Sequence, residues 1–114
     1  MGARLQTVVE TPAYLSAAKG ILSDIERTEV VNIVAKNPLA GVSIGGGIRK
    51  MRLARSGRGK SGGARVVFIF ADEDTPVFLL TVFAKNEKTN LTVGERAALI
   101  ISAKKIIASY KSHK

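Results

Sequence analysis

The sequence predicts an α+β fold in a single domain spanning 1–114: a mainly antiparallel four-stranded sheet packed by two N-terminal helices and one C-terminal helix, in the order β-α-α-β-β-β-α. Three observations predict it. Capping pairs, Ser23 with Glu26 and Thr92 with Glu95, each open a run whose apolar residues recur at helical intervals. Between those helices lie two β-branched and aromatic runs, Arg65 to Phe70 and Val77 to Phe83, separated only by Asp72-Glu73-Asp74-Thr75-Pro76. So short an acidic turn suits an antiparallel hairpin at the centre of the sheet. Strands that follow one another without intervening helices argue for a helix-packed antiparallel sheet rather than parallel βαβ units.

The elements follow in order. Arg4 to Glu10 reads as a short strand, and Thr11-Pro12 as an N-cap with proline at the first helical position, opening a helix to about Lys19. Leu22, Ile25, Val30, Ile33 and Val34 mark a second, amphipathic helix that Asn37-Pro38 stops. Gly45-Gly46-Gly47 separates the helical part from a β-rich part. Ile48 to Ala54 forms its first strand, with Met51 and Leu53 in the core, Lys50 and Arg52 on the open face, and Arg49 at the strand's edge. A glycine-, serine- and arginine-rich loop, Arg55 to Gly63, leads into the hairpin. Ala97, Ile100, Ala103, Ile107 and Tyr110 trace the apolar stripe of the final helix, opposite Lys104, Lys105 and Lys111.

Composition narrows the chemistry. With 46% hydrophobic residues in 114, the chain builds one modest core, and its net charge of +9 implies a polyanionic partner: nucleic acid, an acidic membrane surface or an acidic protein. No apolar run is long enough to span a bilayer and the N-terminus lacks a signal-peptide pattern, so the expected location is the cytoplasm, without a membrane partner. There is no cysteine, and the single histidine is His113. Thiolate metal sites, Cys-His pairs and Ser-His-Asp triads are thereby excluded, and no metal or other cofactor is expected.

The charge is concentrated. Arg49, Lys50, Arg52, Arg55, Arg58, Lys60 and Arg65 place seven of the 18 basic residues within 17 positions, and no acidic residue occurs between Lys36 and Asp72. Like charges at this density repel, and a bound polyanion compensates them. Arginine's planar donor fork suits phosphate, which favours an anion-binding face over a merely solvated one. The glycines at 57, 59, 62 and 63 allow a loop backbone to approach a phosphate closely. Ala54 to Ser61 resembles a relaxed phosphate-binding loop, and Gly57-x-Gly59-x-x-Gly62 a dinucleotide fingerprint. Both require a helix directly after the glycines, whereas a strand is expected there.

From Ile48 onward, I-R-K-M-R-L-A-R-S-G-R-G-K-S-G-G-A-R-V-V-F-I-F and then F-L-L-T-V-F-A-K-N-E resemble the RelE/HigB family of bacterial type II toxins. The resemblance implies a metal-independent, ribosome-dependent messenger-RNA endonuclease, acting in the A site of the small ribosomal subunit under the control of a cognate antitoxin that holds it inactive. Family members cut through attack of the RNA's own 2′-hydroxyl and rely on basic residues. On that pattern Arg65 takes the scissile phosphate, and Lys85 protonates the leaving oxygen or stabilises the transition state. Arg58 and Lys60 match the basic loop as phosphate ligand and candidate base, a role that crowding by other cations favours by lowering a lysine's pKa. Glu87 is an acid-base partner or a salt-bridge anchor. Arg49, Lys50, Arg52, Arg55 and Asn86 are expected to bind RNA. Tyr110, the one tyrosine near the C-terminus, reads as core packing in preference to base stacking. Two alternatives stay open: a non-catalytic RNA- or ribosome-binding module, and a gyrase-directed toxin of the related ParE group.

Overall fold

The computed structural model describes residues 4–54, 63–84 and 90–113. The elements are β1 (Val8–Glu10), α1 (Pro12–Ala18), α2 (Asp24–Lys36), β2 (Val42–Gly45), β3 (Ile48–Leu53), β4 (Ala64–Ile69), β5 (Val77–Ala84) and α3 (Val93–Ser112). The strands form one sheet in the order β1-β5-β4-β3-β2, in which only β1 and β5 run parallel. The fold class is as expected, with β4 and β5 as the central hairpin, but the sheet has five strands instead of four. Among the described residues no helix is long and apolar enough to cross a membrane.

The additional strand is β2. Its four residues alternate only through Val42 and Ile44, too short a run to stand out as a strand, and Val42 is 58% exposed, as an edge strand tolerates. Gly46 and Gly47 have φ of 64° and 81° and join β2 to β3. Positive φ at both central residues is what a tight two-residue hairpin needs, and glycine supplies it without steric cost. The triple glycine is therefore a turn within the sheet and not a boundary between two parts of the chain.

Both capping boxes form. Ser23 Oγ accepts from the Glu26 N–H at 3.1 Å while Glu26 Oε1 accepts from the Ser23 N–H at 2.8 Å, and Thr92 and Glu95 repeat the pair at 3.0 and 2.9 Å. Thr11 caps α1, and its hydroxyl also donates to the Leu79 carbonyl at 2.7 Å, which ties the helix start to β5. Arg27 of α2 holds Glu10 of β1 through two bonds, at 3.0 and 3.2 Å, and this carboxylate keeps the guanidinium above its already high ordinary pKa. Tyr14 is fully buried nearby; burial first, then the Glu10 charge, push its phenol up to about 12.

Two residues assigned to apolar stripes lie off them. Ile25 is 81% exposed, because five positions at 3.6 residues per turn set it roughly 140° from Val30, while Glu26, about 40° away, takes the buried place. Ala97 is exposed for the same reason, about 120° around α3 from the buried Ala103.

The sheet carries a core on each face. α1 and α2 pack with Met51, Leu53, Val66, Phe68 and Leu79 on one side, and α3 packs with Ile48, Val67, Ile69, Phe78 and Leu80 on the other. In β5 the register shifts: Phe68 pairs with Leu79 but Val67 with Thr81, so Leu80 is an inserted residue. This β-bulge turns Val82 into the first core and Phe83 into the second. α3 is fastened at its C-terminal end, where Tyr110 meets Phe78 edge-on at 6.1 Å and Lys111 pairs with Asp72 at 3.3 Å.

A Cβ on Gly63, whose φ is 73°, would lie 2.2 Å from the Leu53 carbonyl oxygen. Gly63→Ala should therefore lower stability by at least about 1–3 kcal/mol, read as a lower urea midpoint. The Asp72 carboxyl is held below its ordinary pKa, first by the Thr75 hydroxyl and then, against the opposing effect of burial, by the Asp74 N–H and Lys111. A lowered folded-state pKa adds stability above the unfolded value that disappears as pH falls through the folded one. Asp72→Asn should flatten the acid limb of a stability-versus-pH curve in that window and leave its shape at neutral pH unchanged.

Candidate nucleic-acid interface

Register decides which basic side chains meet. Met51 pairs with Val66 and Leu53 with Ala64, all in the α1/α2 core, so the intervening pair, Arg52 opposite Arg65, projects from the α3 face. Directly opposed side chains on an antiparallel pair stand about 5 Å apart at Cβ, where two like charges destabilise the sheet. Lys50 lies two residues back along β3, opposite Val67, and Phe83 flanks Arg65 from β5. Lys50 and Arg65 are half-buried and Arg52 is exposed. The three cations form a row across β3 and β4 at the end of the sheet where α3 begins.

Arg49 does not belong to this row. Ile48, Lys50 and Arg52 share one face, which sends Arg49 to the other, half-buried rather than at an open edge. There its guanidinium donates to three backbone carbonyls, Ala40 at 3.1 Å, Leu39 at 2.8 Å and Gly41 at 3.0 Å. These bonds hold the α2–β2 connection and take three of the five guanidinium N–H donors, on the face away from the row. Gly63 likewise serves the close approach to Leu53.

Two residues join the site without having been expected there. Lys50 Nζ donates to Asn90 Oδ1, across 40 positions of sequence, and Arg96 in the first turns of α3 lines the same cleft. Neither spacing nor composition marks them, since they approach Lys50 only once α3 lies on the sheet. The N-terminus of α3 adds roughly half a positive charge there, partly offset by Glu95 in its first turn.

Arg55, Arg58, Lys60, Lys85, Asn86 and Glu87 lie outside the described residues. β4 follows Gly63 directly, so no helix receives a phosphate after the glycines, and neither glycine motif functions as its resemblance suggests. Tyr110 packs on Phe78, five positions along β5 from Phe83 and thus roughly 17 Å from Arg65. Core packing is its role in this fold. Asp72, Glu73 and Asp74 occupy that same far end, so the sheet is polarised from basic to acidic along α3.

These elements define a small α+β protein whose sheet gathers Lys50, Arg52 and Arg65 at one end of the face that α3 covers. Among solved structures the fold is similar to that of the E. coli toxin RelE, determined in the free state as a double arginine-to-alanine mutant: TM-score 0.54 and 18% identity, covering 74% of this chain and 87% of that one. The family model described as the RelE toxin of the RelE/RelB toxin–antitoxin system matches residues 13–113. The chain belongs to this family and is the toxin component of a toxin–antitoxin system, with an antitoxin as its partner.

Arg52 and Arg65 are like charges set directly across a strand pair. Arg52→Thr should raise the stability of the isolated protein by about 0.2–1 kcal/mol in urea denaturation at low salt, with the gain shrinking as salt is added.

Proposed function

We propose that this toxin is a metal-independent, ribosome-dependent messenger-RNA endonuclease, which cuts in the A site of the small ribosomal subunit to arrest translation. The observation that carries this reading is the row of Lys50, Arg52 and Arg65, with two arginines held face to face on the sheet. A phosphate lying between the two guanidinium groups would accept hydrogen bonds from both forks. Membership of the RelE family supports the same chemistry.

In the reaction, the 2′-hydroxyl of one nucleotide attacks the adjacent phosphorus. A general base takes its proton, the P–O5′ bond breaks, and the departing O5′ receives a proton, leaving a 2′,3′-cyclic phosphate and a free 5′-hydroxyl. Arg65 is assigned to the scissile phosphate, where its fork stabilises the extra negative charge of the pentavalent transition state. Lys60 is the candidate base and Arg58 a phosphate ligand. Lys85 donates to the leaving oxygen or to the transition state, and Glu87 acts as an acid-base partner or anchors a neighbouring cation. Lys50 and Arg52, with Arg55 and Asn86, hold the RNA on either side of the cut. Arg49 is left out of this set, because it lies on the opposite face from the row and holds three backbone carbonyls.

The test is a translating ribosome complex carrying end-labelled messenger RNA, incubated with the protein or with Arg65→Ala. The expected result is a cut within the A-site codon, with the rate falling about 10²–10³-fold in the variant. Intact RNA on and off the ribosome, with binding retained at low salt, would replace the nuclease by a non-catalytic RNA-binding module. DNA damage on expression, without translation arrest, would replace it by a gyrase-directed toxin.

A further inference from the structure

Beside the cationic row, β2, β3 and the start of α3 enclose an open cleft of about 320 Å³, lined by Ile44, Lys50, Asn90, Leu91 and Arg96. That volume sits at the lower end of the roughly 300–1,000 Å³ of small-molecule sites, room for one small planar group. Lys50 and Arg96 bring two positive charges to it, no carboxylate lines it, and among the described residues neither cation has an ion-pair partner. Ile44 and Leu91 are half-buried apolar walls.

The polar groups in the cleft are matched to an acceptor-rich ligand. Asn90 spends its Oδ1 on Lys50, which fixes the carboxamide so that Nδ2 presents its two N–H donors. Lys50 has three donors and commits one to Asn90, and Arg96 brings five. The lining side chains thus offer donors between two apolar surfaces. A nucleotide fits that description, with a phosphate carrying negative charge and a flat base bearing carbonyl and ring-nitrogen acceptors. The cleft opens beside Lys50, on the same sheet face as Arg52 and Arg65, so it is continuous with the proposed path of the RNA.

We infer that the Lys50–Asn90–Arg96 cleft is a nucleotide subsite: it takes one nucleotide of single-stranded RNA flanking the cut, with its phosphate between Lys50 and Arg96 and its base against Ile44 and Leu91. This inference rests on the RNA-directed reading above and deepens it, by assigning a recognition role to the start of α3. Arg96 acts here as a binding group and takes no part in the chemical step. Asn90 is a positioning residue that holds the Lys50 ammonium toward the cleft.

The experiment uses a short single-stranded oligoribonucleotide carrying 2′-O-methyl groups, which removes the attacking hydroxyl and isolates binding. Its affinity is measured across a salt series by fluorescence anisotropy for the unaltered protein, Arg96→Gln, Asn90→Ala and Lys104→Gln, a control cation on the exposed side of α3, with folding of each verified by circular dichroism. In the expected result Arg96→Gln binds several-fold more weakly and its log–log salt slope falls by about 0.7, one single-strand phosphate contact, while Lys104→Gln changes neither. Asn90→Ala, which removes no charge, should weaken binding with little change of slope. If Arg96→Gln keeps the parent slope, or Lys104→Gln loses as much, the subsite is overturned while the RNA reading stands. Loss of antitoxin binding by Arg96→Gln with an unchanged RNA slope would overturn it too, giving the cleft to the protein partner. If the unaltered protein binds no RNA and cuts none on the ribosome, the RNA reading fails, and the subsite with it.

Discussion

The two-sided burial of β4 is the constraint on which the rest of the structure depends. Val66 and Phe68 must satisfy the core under α1 and α2 while Val67 and Ile69 satisfy the core under α3, and all four are essentially inaccessible. A strand so placed leaves a charge only one tolerable location, its end on the face that a helix covers incompletely. Arg65 occupies that location. Its position is thus a consequence of packing: the same alternation that fills two cores delivers one guanidinium to the margin of the second.

Much of the fold was legible because it depends on local chemistry. Both capping boxes, the proline at the start of α1, the acidic turn and the central hairpin are written in short runs of residue types whose backbone preferences agree with the final structure. What was hidden depends on partners distant in sequence. β2 is held by its pairing to β3 and by two glycines in a turn, so its own residues need no pattern. Ile25 and Ala97 were assigned to buried stripes by approximate helical spacing, while the exact phase set by packing turns both outward and puts Glu26 in the place expected for an apolar side chain.

The site was legible in outline and misread in detail for the same reason. A density of arginine and lysine is visible in any count, but alternation divides it between two faces, and only the register shows that Arg52 and Arg65 stand together while Arg49 turns away to bind carbonyls. Asn90 and Arg96 reach Lys50 because α3 crosses the sheet from its basic end to its acidic turn. That one helix contacts both ends, so the cationic cleft and the Asp72 anchorage share a rigid element, and a partner that moved α3 would act on both.

The inserted residue in β5 carries a consequence for how this sequence is able to vary. Val82 enters one core and Phe83 the other only because Leu80 adds a position that β4 does not match. Removing that position would send each side chain beyond it to the opposite face, exchanging Val82 and Phe83 between the two cores. Substitution at Leu80 by another apolar residue of similar volume preserves the arrangement. The strand is therefore permissive in spelling and strict in length: descendants of this chain can change the letters of β5 far more freely than they can lose one.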